Sequence, residues 1–395
     1  MMVKMERLFE PIKINQLQVK NRICYAPTGK AHSTENGYVT DQALCYYVAR
    51  AKGGTGLIIV EACLPIVRFA RPIRKLLGCW DDSHLHGLKD LADAVHAAGA
   101  KIIVQVTMGF GSQVMAPIGG EVVAPSEVSS AIRPGSSPRG LKSMEGVEGM
   151  APRSLSRDEI LEMEDDFAAG AERIYRAGFD GIEVHGCHGY LIAEFLSPYS
   201  NLRQDEYGGS FENQLRLPLN LLKKSRDRVD PKFVIGFRMS GDEHIEGGYG
   251  LKDAQKIARK LEKGGADYIH LSSGRYESWN YIFPDEEGSM LEEAKAIKEV
   301  VGIPVICPNI HNPLTGENAI RDGLTDMISL SRGLIADPAW ANKTRSGKLE
   351  EINNCIRCNT CLKTIFSGFS LRCAVNPEAG WERFIPEYYP PIRRK

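Results

Sequence analysis

Short apolar runs rich in β-branched residues alternate along the chain with longer segments in which apolar residues recur at helical spacing. Eight such runs predict strands, at residues 22–26, 57–61, 102–106, 181–184, 233–238, 268–272, 304–307 and 327–330. Between them, segments such as 85–98, 157–177, 211–228, 253–264 and 290–300 predict helices. A glycine follows several of these helices just before the next strand, which is typical of βα units in a parallel sheet.

Eight βα units in succession predict an α/β fold, and specifically a (β/α)8 TIM barrel. The 395 residues exceed what such a barrel requires, so we divide the chain into a barrel at 1–345 and a small C-terminal segment at 346–395. A doubly wound open sheet is the alternative. Its nucleotide-binding form is disfavoured because no Gly-x-Gly-x-x-Gly follows the first predicted strand.

The interval between the third and fourth predicted strands is unusually long. Its residues 108–150 are rich in Gly, Pro and Ser and carry little periodicity. Long irregular insertions in compact domains are usually functional, and in a barrel this one would lie over the carboxyl ends of the strands. A surface excursion without a role is the alternative.

Composition excludes several classes of protein. Lys and Arg number 49 against 50 Asp and Glu, so the net charge of −1 argues against nucleic acid as the main partner. No apolar run approaches the roughly 20 residues of a membrane span. The charged first ten residues have no signal-peptide pattern, and we expect a cytoplasmic protein.

Four of the ten cysteines cluster near the C-terminus, at Cys355, Cys358, Cys361 and Cys373. Thiolates bind zinc or iron–sulfur clusters. Zinc usually takes two separated pairs, whereas three close cysteines and one remote cysteine favour a 4Fe-4S cluster. Four unrelated thiols are a poor third explanation. An iron–sulfur cluster beside a barrel implies the transfer of single electrons. A flavin is the natural partner cofactor, because it exchanges both single electrons and hydride.

Polar groups at the ends of predicted strands suit a flavin. Gln105 is placed to donate to the ring, and Arg238 to stabilise negative charge on its reduced form. A phosphate site after the seventh and eighth strands is a recurrent barrel feature, and Asn309 and the Ser331-Arg332 pair lie there. After the first strand, the backbone and hydroxyl of Ala26, Pro27 and Thr28 are placed to meet a ring edge.

Two histidines and a tyrosine follow the fourth predicted strand. His185 and His188 are three residues apart, so both can hydrogen-bond and polarise one carbonyl oxygen. Tyr190, with an ordinary pKa near 10, can supply a proton to carbon. A metal site on the two histidines is the alternative, which ranks lower because no third ligand is evident nearby.

The stretch at 185–222, reading HGCHGYLIAEFLSPYSNLRQDEYGGSFENQLRLPLNLL, resembles the signature of the old yellow enzyme family of FMN barrels. The four clustered cysteines, followed by Val375-Asn376-Pro377, resemble its iron–sulfur branch. That branch includes 2,4-dienoyl-CoA reductase, trimethylamine dehydrogenase and bacterial enoate reductases. The similarity runs from Leu8 almost to the last residue.

The resemblance implies an FMN- and 4Fe-4S-dependent ene-reductase of anaerobic metabolism, acting on a C=C bond conjugated to a carbonyl. Tyr190 matches the family's proton donor, and His185 and His188 match the pair that holds the substrate carbonyl. His185 favours ene-reduction over amine oxidation. Asn201 and Arg203 are expected to shape the mouth. The residues implied to line FMN are Ala26, Pro27, Thr28, Ala62, Gln105, Arg238, Asn309, Ser331 and Arg332.

Two departures from the family pattern bear on the substrate. The loop at 273–279 carries no His, which argues against a dienoyl-CoA substrate, and Tyr276 or Trp279 is placed to stack on a flat substrate instead. Val106-Thr107-Met108-Gly109 replaces a His-containing run, so we expect a more apolar pocket. Two other functions remain open. One is an oxidative dehydrogenase exporting electrons through the cluster, and the other is a barrel with structural zinc and no flavin.

Full-length relatives continue into FAD- and NAD(P)H-binding domains, whereas this sequence carries no dinucleotide fingerprint. We therefore expect electrons from a separate flavodoxin-, ferredoxin- or FAD-subunit-like protein, unless the chain is a fragment. Pro390-Pro391 and Arg393-Arg394-Lys395 form a candidate docking tail. A homo-oligomer is also possible.

Overall fold

Eight parallel strands form a closed barrel in the computed structural model, which describes residues 5–390. This confirms the predicted (β/α)8 fold. The last strand pairs with the first, since Ile328 stands opposite Ile23. Apart from Pro390, the candidate docking tail lies outside the described residues. The strands are β1 (Ile23–Tyr25), β2 (Leu57–Leu64), β3 (Lys101–Val106), β4 (Gly181–Gly186), β5 (Val234–Ser240), β6 (Ile269–Ser272), β7 (Val305–Pro308) and β8 (Met327–Leu330).

Eight helices surround the barrel, one after each strand. They are α1 (Asp41–Lys52), α2 (Leu85–Ala97), α3 (Arg157–Arg176), α4 (Arg216–Arg226), α5 (Leu251–Lys263), α6 (Leu291–Lys298), α7 (Pro313–Arg321) and α8 (Trp340–Arg345). The helix expected at 211–228 is interrupted at Leu215, which separates the short helix Phe211–Gln214 from α4. Further short helices are Leu191–Leu196, Trp279–Ile282, Arg332–Ala336 and Thr360–Phe366. None of the described helices is long and apolar enough to cross a membrane.

Local sequence signals explain several helix ends. Ser156 caps α3, accepting from the backbone N–H of Glu159 while the Glu159 carboxylate accepts from the Ser156 N–H. Gly178, just past α3, has a φ of +85°, a left-handed conformation that glycine adopts without strain. These signals bound α3, so that the chain turns into β4 directly after it.

An antiparallel hairpin closes the amino end of the barrel. Its strands are Ile12–Ile14 and Leu17–Val19, and Ile14 and Val19 are fully buried. They pack with an apolar layer contributed by most of the barrel strands, comprising Cys24, Leu57, Ile59, Ile103, Val234, Tyr268, Ile306 and Met327. This layer fills the amino end, and the cavity that opens into the barrel lies at the other end.

The irregular segment 108–150 extends over the carboxyl end of the barrel. It includes the 3-10 turn Gly111–Gln113 and the strand Val123–Ala124, which pairs with Arg153–Ser154. Its Arg139 carbonyl accepts a 2.9 Å hydrogen bond from the Asn359 amide. The insertion therefore connects the mouth of the barrel to the C-terminal segment.

The C-terminal segment packs directly on the barrel. Arg50 of α1 forms a buried ion pair with Glu382 at 2.7 Å. The backbone N–H of Leu371 donates to the Lys30 carbonyl at 3.0 Å, and the Asn376 amide donates to the Ile335 carbonyl at 2.9 Å. The cysteine-bearing segment is thus attached beside the loops that follow β1 and β8.

Candidate active site at the carboxyl end of the barrel

A cavity of about 1270 Å³, counting its open mouth, occupies the carboxyl end of the barrel. It brings together all nine residues expected to line FMN, all three expected to act on substrate, and one of the four clustered cysteines. These are Ala26, Pro27, Thr28, Ala62, Gln105, Arg238, Asn309, Ser331, Arg332, His185, His188, Tyr190 and Cys361. Residues separated by more than 300 positions therefore face one space.

A buried carboxylate organises the floor of this cavity. Glu183 accepts from the Gln105 amide at 2.8 Å, the Tyr268 hydroxyl at 2.9 Å and His270 Nδ1 at 2.8 Å. Burial opposes ionisation, but the charge and hydrogen bond of His270 hold the pKa of Glu183 below its ordinary value. This hydrogen bond holds the Gln105 side chain at the wall of the cavity.

Arg238 provides an unsatisfied cationic donor in the cavity. Its side chain is 8% exposed, and its Nε has no hydrogen-bond partner among the described residues. A buried guanidinium nitrogen without a partner carries a substantial free-energy cost. An acceptor from a bound molecule would remove that cost.

The loops after β1, β7 and β8 converge on the opposite side of the cavity. The Thr28 and Ser331 hydroxyls lie 2.6 Å apart. The Arg332 guanidinium donates to Asn359 Oδ1 at 2.9 Å and to Asn309 Oδ1 at 3.2 Å. The Arg332 guanidinium, the Asn309 amide and the Ser331 hydroxyl are the kinds of donor that bind a phosphate.

The two histidines and the tyrosine face one another beyond β4. His185 Nε2 and His188 Nδ1 lie 3.3 Å apart, and His188 Nε2 lies 2.6 Å from the Ser272 hydroxyl. The Tyr190 ring is 5.0 Å from the His185 ring, and its hydroxyl is 3.0 Å from that of Tyr276. Burial and the charge of Arg238 lower the pKa of both histidines well below 6.5, so both are neutral.

A third potential metal ligand stands beside the histidines, contrary to the sequence-based expectation. The ligand atoms of His185, Cys187 and His188 all lie within 4.8 Å of one another. The turn after β4, in which His188 has a φ of +65°, folds the intervening cysteine back toward them. Burial raises the pKa of the Cys187 thiol to about 12, so the thiol is neutral.

Three of the four C-terminal cysteines, Cys355, Cys358 and Cys361, lie along a tight backbone turn. Arg357 and Asn359 adopt left-handed conformations with φ of +53° and +56°, and the Arg357 N–H donates to Cys355 Sγ at 3.4 Å. Burial raises the pKa of Cys361 to about 12, and the neighbouring thiols of Cys355 and Cys373 add to that shift. Cys361 lies against the cavity, whereas Cys355, Cys358 and Cys373 are partly exposed.

Three expected residues lie elsewhere. Asn201 and Arg203 do not line the cavity. Asn201 ties its own loop through the Phe195 and Tyr207 carbonyls, and Arg203 binds Asp205. Trp279 is fully buried, packed 5.3 Å from Phe366, and is unavailable for stacking on a substrate. Each of these three side chains binds or packs against neighbouring protein groups instead of facing the cavity.

Of the other lining residues, the sequence singled out Tyr276, as a candidate to stack on a flat substrate, but not Phe110 or Ser272. Phe110 packs edge-on against Tyr190 at 4.9 Å, and Tyr276 bonds the Tyr190 hydroxyl. Ser272 holds His188. Ser272 and Tyr276 follow or end β6, so their position at a strand end was the available signal, whereas Phe110 lies in an aperiodic insertion.

Comparison with known proteins gives the family. The family model described as NADH:flavin oxidoreductase / NADH oxidase matches residues 7–351. The chain is 39% identical to an NADH oxidase of Thermoanaerobacter brockii over 100% of this chain and 59% of that protein. It is 31% identical to a cinnamate reductase of Clostridium sporogenes over 95% of this chain and 58% of that protein.

A solved structure repeats the fold. A 2-naphthoyl-CoA reductase in complex with 2-naphthoyl-CoA superimposes with a TM-score of 0.88 and 30% identity, covering 96% of this chain and 58% of that chain. The chain thus spans somewhat over half the length of these relatives.

Proposed function

The chain belongs to the NADH:flavin oxidoreductase / NADH oxidase family of flavin-dependent oxidoreductases, and from this we propose that it is an FMN- and 4Fe-4S-dependent ene-reductase. Its substrate would be a C=C bond conjugated to a carbonyl, and its electrons would come from an external donor. The observation that carries the proposal is the single cavity in which Arg238 and Gln105 face His185, His188 and Tyr190.

The cavity fits FMN on two sides. The unpartnered Nε of Arg238 and the amide of Gln105 suit the polar edge of a flavin ring. Asn309 and the Ser331-Arg332 pair would supply donors for its phosphate, Ala26, Pro27 and Thr28 would meet a ring edge, and Ala62 would supply an apolar wall. When bound, FMN would supply the hydride that reduces the alkene.

The protein residues would then handle the oxygen and the proton. His185 and His188, both neutral, would donate to the substrate carbonyl and stabilise negative charge on its oxygen. Burial raises the pKa of Tyr190 well above 10, so its hydroxyl keeps its proton until a strongly basic carbon is present. Tyr190 would protonate the α-carbon.

We extend the proposal to the C-terminal segment 346–395, as a cluster-binding unit on the barrel 1–345. Cys355, Cys358, Cys361 and Cys373 would hold a 4Fe-4S cluster. Three close cysteines and one remote cysteine favour a 4Fe-4S cluster over zinc. Cys361 would carry electrons directly to the flavin cavity.

Aromatic side chains point to the substrate class. Phe110, Tyr190 and Tyr276 form one wall of the cavity. Two similar proteins, a cinnamate reductase and a 2-naphthoyl-CoA reductase, act on aryl-conjugated acyl compounds. We infer an aryl-substituted enoyl substrate.

The electron source and the setting complete the proposal. By likeness to the iron–sulfur branch, we propose a flavodoxin-, ferredoxin- or FAD-subunit-like protein as the donor. All ten cysteines are free of disulfide bonds, which agrees with a reducing cytoplasm.

The test is anaerobic reduction of the purified protein followed by substrate challenge. Flavin and sulfur-to-iron absorption bands should be present, and reduced enzyme should reoxidise on mixing with cinnamate-type enoates or enones. Absence of both bands would replace the proposal with a structural zinc barrel. Reduction of the oxidised enzyme by amines, without reoxidation by enones, would indicate an oxidative dehydrogenase.

A further inference from the structure

A second tyrosine is hydrogen-bonded to the candidate proton donor. The hydroxyl oxygens of Tyr190 and Tyr276 lie 3.0 Å apart, and their rings meet edge to face with centroids 5.8 Å apart. Tyr276 is 4% exposed, and both side chains line the cavity. Within residues 5–390, the Tyr276 hydroxyl has no other hydrogen-bond partner.

The loop that carries Tyr276 is rigidly held beside the histidines. The Arg275 guanidinium donates to Glu277 at 2.6 Å, and the Ser130 hydroxyl donates to the other Glu277 oxygen at 2.8 Å. The Ser278 hydroxyl donates to the Glu243 carbonyl at 2.7 Å. A backbone bridge pairs Arg275 with His188. Anchors on both sides of Tyr276 fix its hydroxyl relative to the site.

We propose that Tyr276 is a positioning residue whose hydroxyl aims the Tyr190 proton and stabilises the phenolate left when that proton departs. This rests on the proposed function, in which Tyr190 protonates the α-carbon. In that step the Tyr190 O–H bond breaks, a C–H bond forms, and the electron pair stays on the Tyr190 oxygen. The Tyr276 O–H donates to that oxygen until solvent at the mouth returns a proton.

The surroundings make this hydrogen bond important. The other titratable or charged groups facing Tyr190 are His185, His188, Cys187 and Arg238. The two histidines and the thiol are neutral, and burial raises the pKa of Tyr276 to about 12, so it also keeps its proton. Arg238 lies toward the flavin side, so Tyr276 is the hydroxyl donor in direct contact with the nascent phenolate.

The main test is Tyr276→Phe in the oxidised holoenzyme, with 3-fluorotyrosine incorporated at position 190. The substitution removes one oxygen and keeps the ring that packs against Trp279 at 5.6 Å. Fluorine NMR against pH should give a pKa for residue 190 raised by about one to two units, because its phenolate loses a charge-assisted hydrogen bond. Tyr281→Phe, in the same loop but 43% exposed and stacked on His244, should leave that pKa unchanged.

Kinetics provide the second readout. In Tyr276→Phe, kcat should fall about 10- to 100-fold while KM changes less than about threefold, since the hydroxyl acts mainly in the transition state. A variant with 3-fluorotyrosine at position 276 keeps the hydroxyl and should stay within about threefold of the wild type. It also serves if the phenylalanine variant does not fold.

The outcomes separate this inference from the proposed function. An unchanged residue-190 pKa and unchanged kcat in Tyr276→Phe would overturn the role of Tyr276, even if Tyr190→Phe is inactive. Full turnover of Tyr190→Phe would instead remove Tyr190 as the donor. In either case, the fluorine NMR titration measures the pKa of residue 190 and so shows whether the Tyr276 hydroxyl affects it.

Discussion

The amino end of the barrel is apolar and sealed, whereas the carboxyl end is open and places polar side chains among apolar ones. At the sealed end, Ile14 and Val19 cap a layer in which Ile59 and Ile103 are fully buried. At the open end, buried polar atoms such as His185 Nδ1 and Arg238 Nε lack partners among the described residues. The same strands thus contribute apolar packing at one end and polar atoms without hydrogen-bond partners at the other. Stability and activity should therefore respond to different mutations.

The largest expected effect is on turnover at the open end. Tyr190→Phe should lower kcat about 10²- to 10⁴-fold, the usual contribution of a general acid, while Tm shifts by at most a few degrees. Stopped-flow reoxidation of reduced enzyme by an enone measures it, with circular dichroism for Tm. Turnover within threefold of the wild type would remove Tyr190 from the mechanism.

At the sealed end the expected effect is on stability alone. Ile103→Ala deletes a fully buried side chain and should lower the free energy of unfolding by about 2–5 kcal/mol, with kcat per folded molecule unchanged. Ile73→Ala is the matched control, because Ile73 lines the cavity and is only partly buried. Denaturant titration measures the free energy of unfolding of each variant, and steady-state kinetics measure its kcat. If Ile103→Ala lowered kcat per folded molecule as well as the free energy of unfolding, the separation of the two ends would be contradicted.

Arg238 tests whether the open end is arranged for a reduced, negatively charged flavin. Arg238→Gln removes a charge-assisted donor worth about 1.5–3 kcal/mol, so the two-electron potential of bound flavin should fall by about 30–60 mV. Anaerobic redox titration measures this, and Arg238→Lys should recover part of the shift because it keeps the charge. A potential unchanged in both variants would place Arg238 away from the flavin ring.

The smallest expected effect concerns pH. Folding lowers the pKa of His185, His188 and His311, so these side chains stay neutral in the native chain even below pH 6.5. The unfolded chain binds a proton at each of them as pH falls through about 6.5, so acid favours unfolding. Each should cost up to about 1.4 kcal/mol of stability at pH 5.5.

Urea titrations at pH 7.5 and 5.5 measure this loss. His188→Asn should reduce the difference between the two pH values by one histidine's share, whereas Ile103→Ala should lower stability equally at both. A pH difference that His188→Asn leaves intact would show that His188 is not held neutral by burial.

Much of the fold followed from local pattern. The eight strands were predictable because each is a short apolar run followed by a helical pattern, and a glycine ends several of those helices, a signal that needs no distant partner. The interruption at Leu215 was not, because both flanking segments carry helical spacing. The destinations of Asn201, Arg203 and Trp279 were not predictable either, since several partners compete for a polar or aromatic side chain and only the packed chain decides among them.

By itself, the sequence determined the barrel, the strand-end residues and the cysteine spacing, because strand periodicity and short motifs are local properties of the chain. Only the tertiary structure decided which of those groups share a cavity. It brought Cys361 to the flavin side, folded Cys187 toward the histidines and joined the Tyr276 hydroxyl to that of Tyr190. Each of these depends on loops that meet only when the barrel closes, and loop geometry follows from packing against neighbours rather than from periodicity.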